Sequence, residues 1–259
     1  MKIIVLIKQV LDPAGILVRR DKEKMFINRE EYILGPDSKA ALEAALRFKD
    51  AGSAEVIALS LGKPRAEDAL REALAIGCDA AYLLSDEAFE AADIPMTATV
   101  LAAAIQKLGG ADLIVAGRES SDTSAGQIGS RLAEALNYAQ VTDVHALTGE
   151  PGAIQATRHW VSGYAAVQAL LPAVVTVAPE AFTARYAHGA RIMNAYREWQ
   201  VTTWNAADLG LDQAALKPLL VFRGESFPPP LPVGEQVKGA PASAAHELIT
   251  ALKLQKAIG

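Results

Sequence analysis

The sequence has little or nothing of several features that mark whole classes of protein. Its 259 residues include a single cysteine, Cys78, so no disulfide can form within the chain, which suits a reducing cytoplasm. No apolar run approaches the roughly 18 residues of a membrane-spanning helix, and the N-terminus lacks the basic and apolar blocks of a secretion signal. We therefore expect a cytoplasmic protein with no membrane span.

Basic and aromatic residues are also scarce. The chain has 25 Lys and Arg against 30 Asp and Glu, a formal net charge of -5, whereas a nucleic-acid binder needs a basic face to neutralise phosphates. Aromatic residues make up 6% while hydrophobic residues reach 51%, a composition typical of folded α/β proteins and not of disordered chains. We therefore expect a folded chain with no nucleic-acid partner.

Strand-like runs alternate with helix-like segments over the first 150 residues. The strand-like runs read KIIVLIK, AEVIALSL, AAYLL, DLIVAG and VTDVHAL. There are four helix-like segments: one begins after Asp37, the second reads RAEDALREALAIG, the third spans about 94–108 and the fourth reads GQIGSRLAEAL. Such alternation favours right-handed crossovers and strands buried on both faces, so it predicts an open doubly wound, mainly parallel α/β sheet.

Three regions depart from this alternation. Residues 15–34 contain the short pieces ILVRR and MFIN and predict a hairpin. From about Ala153 the runs AIQATRHW, YAAVQALL and AVVTVA follow without a helix, which predicts an antiparallel edge added to the sheet. The last residues hold the proline cluster FPPPLP, a linker and a terminal helix, HELITALKLQKAI. The predicted organisation is an α/β domain over 1–200 and a tail over 201–259 that packs on its own domain or on a partner.

A polar turn follows one of the two strands that flank the expected ligand site. If the parallel strands, numbered along the chain, lie in the common order 3-2-1-4-5, the direction of winding reverses between the strand ending at Lys8 and the strand ending at Gly117. Ligands of such sheets bind outside the carboxyl ends of the strands at this reversal. The turn RESSDTSAGQIG then opens a helix, whose free N–H groups and dipole favour a phosphate. The alternative is that its Ser, Thr and Asp residues only cap the helix, while Gly126 and Gly129 permit close packing.

Two further segments are candidates for the same crevice, and catalytic motifs are missing. The run GPDS at 35–38 either reaches the crevice or forms an ordinary proline turn, and SLG at 60–62 either meets an adenine edge or forms a plain turn. The Walker and GxGxxG patterns are absent, the four histidines show no metal spacing, and Cys78 is interpreted as a buried thiol. The residues alone indicate an adenine-nucleotide-binding domain without evident catalytic machinery.

Several of these segments, in this order, resemble the β-subunit of electron-transfer flavoproteins. The opening KIIVLIKQVLDP resembles the family's first strand and Lys-x-Val-x-Asp turn, and GPDSKAALEAALRFKDAG resembles its Asn-Pro-x-x helix start. AGRESSDTSAGQIGSRLAEAL matches its Asp-rich, Gln-x-Gly phosphate loop, and LLPAVVTVAPEAFTARYAHGARIMNA matches its Leu-Pro-Ala-Val-Val-Thr block. The resemblance runs from residue 1 to about residue 200.

The resemblance implies a subunit that turns over no substrate by itself. It implies a heterodimer in which an α-subunit holds most of the electron-transferring FAD and this subunit holds AMP structurally. Electrons would pass from a flavoprotein dehydrogenase, such as an acyl-CoA dehydrogenase, to an acceptor such as a quinone oxidoreductase. In the electron-bifurcating branch, a second FAD replaces AMP and accepts hydride from NADH. A stand-alone nucleotide-sensing domain is a further alternative.

The resemblance also carries over residues. The implied nucleotide contacts are Leu6, Gly35, Pro36, Asp37, Ser38, Leu61, Asp122, Thr123, Ser124, Ala125, Gly126, Gln127, Ile128 and Gly129. Two of them depart from the family, since Gly35 replaces an asparagine and Ala125 a threonine, which leaves the identity of the nucleotide open. The implied partner-binding residues are Ala181, Phe182, Arg185 and Tyr186. Ala181 aligns with a leucine that anchors partner dehydrogenases, so either Phe182 replaces that anchor or the partner differs.

Overall fold

A computed structural model describes residues 1–52, 54–212, 216–221, 223–224, 226–229 and 234–258. These residues belong to two compact units, 1–222 and 223–259. The first unit passes the expected boundary at 200, because the strand Thr202–Trp204 pairs with the main sheet. Part of the predicted proline cluster, residues 230–232, lies outside the described residues.

The strands and helices follow the predicted alternation. The strands are β1 Lys2–Leu6, β2 Gln9–Leu11, β3 Ile16–Arg19, β4 Lys24–Ile27, β5 Tyr32–Leu34, β6 Glu55–Leu61, β7 Ala80–Leu84, β8 Leu113–Gly117, β9 Ala139–Glu150, β10 Ala153–Trp160, β11 Gly163–Leu170, β12 Ala173–Val177 and β13 Thr202–Trp204. The helices are α1 Pro36–Ala51, α2 Glu67–Ile76, α3 Ile94–Lys107, α4 Ile128–Leu136, α5 Gly189–Arg197 and α6 Pro241–Leu254.

Nine of the strands in the described part of the chain form one sheet, in the order β11-β10-β9-β12-β8-β1-β6-β7-β13. The run from β9 through β12, β8, β1, β6 and β7 to β13 is parallel, whereas β9, β10 and β11 pair antiparallel. The predicted doubly wound α/β sheet with an added antiparallel edge is confirmed. Its central order β7-β6-β1-β8-β12 is the predicted 3-2-1-4-5, so the winding reverses between β1 and β8.

One strand was placed wrongly by the sequence pattern. AIQATRHW and YAAVQALL form β10 and β11 of the antiparallel edge, but AVVTV forms β12 inside the parallel part, between β8 and β9. All five residues of β12 are buried, whereas β11 alternates between half-buried and exposed positions. A continuous apolar run fits a strand covered on both faces, and an alternating run fits an edge.

Strand β1 shows how the sheet is covered on both sides. Ile3 and Val5 pack into a core shared with residues of α1 and α2, while Ile4 and Leu6 pack into a second core shared with α3 and α4. The predicted hairpin is present as β3 and β4, and β2 pairs with β5 beside it. No helix in the described ranges is long and apolar enough to cross a membrane.

Helix α5 is an element that the sequence pattern did not predict. Its Arg191 donates to the carbonyl oxygens of Leu74 and Ala75 at the end of α2, both at 2.9 Å, which fixes α5 against α2. Helix α5 is therefore anchored through Arg191, while Ile192 and Met193 stay exposed.

Candidate functional site

A crevice of about 950 Å³ lies at the carboxyl ends of β1, β6, β7 and β8, where the winding of the sheet reverses. The structure brings many of the predicted nucleotide contacts to its wall: Leu6, Ser38, Leu61, Asp122, Thr123, Ala125, Gly126, Gln127 and Ile128. Other predicted contacts do not line it: Gly35, Pro36, Asp37, Ser124 and Gly129. The crevice is the candidate ligand site because open parallel sheets bind ligands at this position.

One end of the crevice carries a cation and two hydroxyl groups. Lys8, the second residue after β1, places its Nζ 2.8 Å from a carboxylate oxygen of Asp122 and 3.2 Å from Ser120 Oγ. Ser120 Oγ lies 2.9 Å from Thr123 Oγ1. Burial alone raises the pKa of Asp122, but its hydrogen bonds to Lys8 and Ser120 outweigh burial and hold the pKa below its usual value. The β8–α4 loop, residues 118–127, is thus tied to the end of β1.

The backbone of the β8–α4 loop is shaped for an anion. Ser124 and Gly126 have φ of +46° and +62°, and the Ser124 N–H donates to Ser120 O at 2.8 Å. Helix α4 begins at Ile128 without a side-chain cap, since Gln127 Oε1 accepts from Arg131 Nε instead. The alternative that hydroxylated residues cap this helix is therefore wrong. Its first-turn N–H groups lack intrahelical partners, the arrangement that binds phosphates.

The packing part of that alternative holds for Gly129. A Cβ at this position would collide with the methyl group of Thr176 on β12. Gly129 therefore allows α4 to lie close to the sheet, which brings the open start of the helix to the crevice.

Asp37 lies beneath the crevice and not on its wall. The residue is 8% exposed, its Oδ1 has no hydrogen-bond partner in the described part of the chain, and a Cβ at Gly117 would collide with it. Burial raises the pKa of Asp37 above its usual value, against the opposing effect of the Glu119 backbone N–H. Its position supports the first residues of the β8–α4 loop from below.

Neighbouring Gly35 and Ser38 join the start of α1 to the end of β1. The Gly35 N–H donates to Lys8 O, and Ser38 Oγ accepts from the Lys8 N–H, both at 3.0 Å. Ser38 therefore lines the crevice and fixes Lys8 at the same time.

The other end of the crevice, after β7, combines apolar residues with the charged Asp86, Glu87, Glu90 and Asp93, and sequence reasoning did not identify it. Phe89, Ile94 and Leu101 line it from the β7–α3 connection and α3, and Leu220 lines it from the chain after β13. Lys8 and Ser120 were also missed as individual residues, although their positions directly after β1 and β8 were a usable signal. Phe89 and Ile94 had only the weaker signal of following β7, another parallel strand, and Leu220 had no local signal.

The segment predicted to bind a partner dehydrogenase is mostly used within the chain. Phe182 is 3% exposed and sits in the core, with the guanidinium of Arg47 5.1 Å from its ring centre. The interpretation that Phe182 replaces the anchoring leucine is therefore wrong, because a buried ring cannot insert into a partner. Ala181 is partly buried against the same core, whereas Tyr186 is 99% exposed.

Arg185 is held by two carboxylates of α1. Its guanidinium donates to both carboxylate oxygens of Glu43, at 2.8 and 3.0 Å, and to Asp50 at 2.6 Å. These bonds raise the pKa of Arg185 and fix the segment 178–188, which we name the β12–α5 segment, against α1.

The remaining candidates for chemistry are structural. Cys78 is buried, as predicted, and burial raises the pKa of its thiol to about 12, so it is not a nucleophile near neutral pH. No group of His, Cys, Asp and Glu in the described ranges is arranged to hold a metal ion.

The fold and the crevice define a doubly wound α/β protein with a ligand site at its switch point. The model of the electron transfer flavoprotein domain matches residues 24–209. The chain is 38% identical over 259 residues, 98% of each chain, to the caffeyl-CoA reductase-Etf complex subunit CarD of Acetobacterium woodii. It is 37% identical over 216 residues, 83% of each chain, to the electron transfer flavoprotein subunit beta of Clostridium acetobutylicum.

A third relative is the acryloyl-CoA reductase electron transfer subunit gamma of Anaerotignum propionicum, 32% identical over 97% of this chain and 98% of the relative. The chain belongs to the β-subunit family of electron transfer flavoproteins and takes part in electron transfer. The family resemblance recognised from the sequence motifs is thereby confirmed.

Proposed function

We propose that this chain is the β-subunit of a cytoplasmic electron transfer flavoprotein heterodimer and holds AMP in the crevice as a structural nucleotide. The α-subunit holds most of the FAD, which supplies the electron-transfer chemistry when bound. The observation that carries this proposal is the arrangement of the crevice: an anion-binding loop at one end and large apolar side chains such as Phe89 and Leu101 at the other. A phosphate joined to an aromatic base matches this arrangement.

The residues of the polar end divide the work of binding a phosphate. The open first turn of α4 offers N–H groups. The hydroxyls of Ser120 and Thr123 already bond within the loop, and each can rotate to donate its single hydrogen to a phosphate. Lys8 is already paired with Asp122, so its main effect is to hold the β8–α4 loop in shape. We therefore infer that backbone and hydroxyl donors, more than the lysine charge, select the phosphate.

The proposed partners are the α-subunit, a flavoprotein dehydrogenase of the acyl-CoA class, and an acceptor such as a quinone oxidoreductase. The names of two relatives support the second, because one belongs to a caffeyl-CoA reductase complex and another serves an acryloyl-CoA reductase. Large apolar side chains exposed on the antiparallel edge support an α-subunit contact there: Trp160, Val161, Tyr164 and Leu170. We propose that the terminal unit, residues 223–259, also packs on the α-subunit.

A second candidate function has one observation in its favour. The crevice volume of about 950 Å³ lies near the upper end of the range for small-molecule sites, roughly 300 to 1,000 Å³. That volume suits a dinucleotide better than a mononucleotide. The second candidate is therefore a bifurcating subunit that binds a second FAD here and whose complex oxidises NADH.

One experiment tests both candidates. The chain is co-expressed with its α-subunit, the purified heterodimer is denatured, and released FAD and AMP are counted by chromatography. One FAD with one AMP supports the first candidate, and two FAD without AMP support the second. The absence of a heterodimer or of flavin contradicts both.

A pair of serines then tests the phosphate site. Ser120 lines the crevice, whereas the adjacent Ser121 does not. Ser120→Ala should weaken binding of the crevice nucleotide by about tenfold to a hundredfold, the ratio expected for one lost hydrogen bond to a charged group. Ser121→Ala should leave it unchanged. Equal affinities of the two variants would contradict the placement of the phosphate.

A further inference from the structure

A short segment after β13 forms part of the crevice wall near the carboxyl end of β7. The backbone N–H groups of Leu219 and Leu220 donate to Asp93 Oδ2, at 2.6 and 2.9 Å. Asp93 Oδ1 accepts from the Met96 N–H at 2.9 Å and so caps α3. One carboxylate therefore joins the start of a helix on the crevice wall to a segment of chain more than 120 residues further along the sequence.

The two leucines held by Asp93 differ in where they lie. Leu220 lines the crevice, whereas Leu219 does not, although the two are similarly exposed at 64% and 74%. Leu220 shares the crevice wall with Phe89 and Leu101, whose side chains belong to the core. The segment thus adds one apolar side chain to the end opposite the anion-binding loop.

The carboxylate of Asp93 is well suited to hold this segment. Burial raises its pKa, but the N–H groups of Met96, Leu220 and Leu219 outweigh burial and keep the pKa below its usual value. Hydrogen bonds to an ionised acceptor are stronger than those between neutral groups. The segment is therefore held firmly at neutral pH.

A second aspartate on the same connection provides a comparison. Asp86 accepts from the Ala88 N–H at 2.9 Å through Oδ1 and from the Ala206 N–H at 3.0 Å through Oδ2. Ala206 does not line the crevice, so Asp86 fastens the returning chain without contributing a side chain from it to the wall. Of these two contacts, that of Asp93 is the one that places part of the returning chain on the crevice wall.

We propose that Leu220 is a specificity-determining residue that contacts the ring system of the bound nucleotide, and that Asp93 is the positioning residue that holds Leu220 in place. This inference rests on the proposed nucleotide site and deepens it. Leu220 adds affinity for a ligand that carries a base, and it adds none for the sugar phosphate alone, because that part binds at the opposite end.

The test compares two ligands on the intact heterodimer. Dissociation constants are measured for ribose 5-phosphate and for AMP, with FAD in place of AMP if the denatured complex releases two FAD. Leu220→Ala should raise the dissociation constant for AMP by about tenfold, the discrimination typical of a small change in an apolar pocket. It should leave the dissociation constant for ribose 5-phosphate unchanged. Leu219→Ala is the matched control and should change neither.

The role of Asp93 needs a variant that keeps the helix cap. Asp93→Ser retains a good capping side chain but is too short to hold the segment at residues 219–220 as well. It should lower the preference for AMP over ribose 5-phosphate about as much as Leu220→Ala does, while thermal unfolding stays at the wild-type midpoint. Asp208→Asn, which changes an acceptor for the Asn205 N–H away from the crevice wall, should leave the preference unchanged.

The outcomes separate this proposal from the one beneath it. A wild-type heterodimer that binds neither nucleotide overturns both proposals. The wild type could instead bind AMP or FAD while Leu220→Ala and Leu219→Ala show the same preference for the nucleotide over ribose 5-phosphate. That result overturns only the role of Leu220. If Asp93→Ser prefers AMP over ribose 5-phosphate as strongly as the wild type does, the positioning role of Asp93 is overturned.

Discussion

The β8–α4 loop and the β12–α5 segment leave neighbouring parallel strands at the same edge of the sheet, yet they are used in opposite ways. The strands are in register from Leu113 with Ala173 to Gly117 with Val177, and the Arg118 N–H donates to Val177 O. In the β8–α4 loop, hydroxyls and the N–H groups of α4 face a crevice. In the β12–α5 segment, Phe182 and Arg185 are satisfied inside the chain.

The difference teaches that position at the end of a parallel strand does not by itself make a binding segment. What decides is whether the polar groups of the segment find partners within the chain. Arg185 finds two carboxylates on α1, so the segment closes on the helix. The first turn of α4 has no side-chain cap, so its donors stay available to a ligand.

The largest effect on stability is expected from releasing the β12–α5 segment from α1. Arg185→Ala leaves the carboxylate of Glu43, which is buried, without its main partner, and such changes cost about 3 kcal/mol in the free energy of unfolding. Chemical denaturation measures this cost. Arg197→Ala, at an exposed arginine of α5, should cost less than about 0.5 kcal/mol. Equal costs for the two variants would show that the segment is not held by this ion pair.

The next largest effect on stability is expected from crowding Asp37, which packs under the β8–α4 loop. Gly117→Ala would push its Cβ against Asp37, and overpacking of this kind costs about 2 kcal/mol in the free energy of unfolding. Gly163→Ala is the control, because a Cβ there meets nothing within 4 Å. A Gly117→Ala protein as stable as Gly163→Ala would contradict the close packing of Asp37 under the loop.

Acid should remove part of the difference between the two segments. Burial raises the pKa of Glu43, but its bonds to Arg185 outweigh burial, so the pKa is lowered on folding. The contribution of the ion pair is therefore complete above the ordinary glutamate pKa of about 4.3 and is lost as pH falls through the lower, folded-state pKa. Stability measured against pH should show the wild type and Arg185→Ala converging in acid. A constant gap would mean that Glu43 does not titrate with the pair.

The smallest effect on stability is expected at the exposed end of the closed segment. Tyr186 is 99% exposed, so Tyr186→Ala should change the free energy of unfolding by less than about 0.5 kcal/mol. We expect it instead to raise the KM of an acyl-CoA dehydrogenase for the heterodimer, because tyrosine is enriched among interface residues that carry binding energy. An unchanged KM would remove Tyr186 from the partner-binding residues.

Much of the fold was readable from the sequence because burial leaves a pattern. The runs KIIVLIK and DLIVAG are continuous and apolar, as strands covered on both faces require, and they became neighbours at the predicted reversal. AVVTV carried the same signal, but its place after two edge strands suggested a third edge strand. The error came from assuming that consecutive strands are neighbours, whereas β12 returns past β9 to reach β8.

The candidate site was predictable where its residues are close in sequence and not where they meet across the fold. The β8–α4 loop follows its strand directly, so its position implied its use. The direction of the Phe182 side chain and the partners of Arg185 depend on α1, more than 130 residues away in sequence. The contact of Asp93 with Leu219 spans 126 residues. No local pattern reports contacts of that range.

The long strand β9 has a consequence for the order in which the protein folds. Its first part pairs with β12 and its remainder with β10, and the intervening chain returns as β10 and β11 before β12 begins. The antiparallel edge is therefore built from contacts local in sequence, whereas the parallel pairs join distant segments. Local pairing closes short loops and forms quickly. We expect this edge to fold early and to bring Ala139 beside Ala173, so that the parallel sheet closes around a preformed corner.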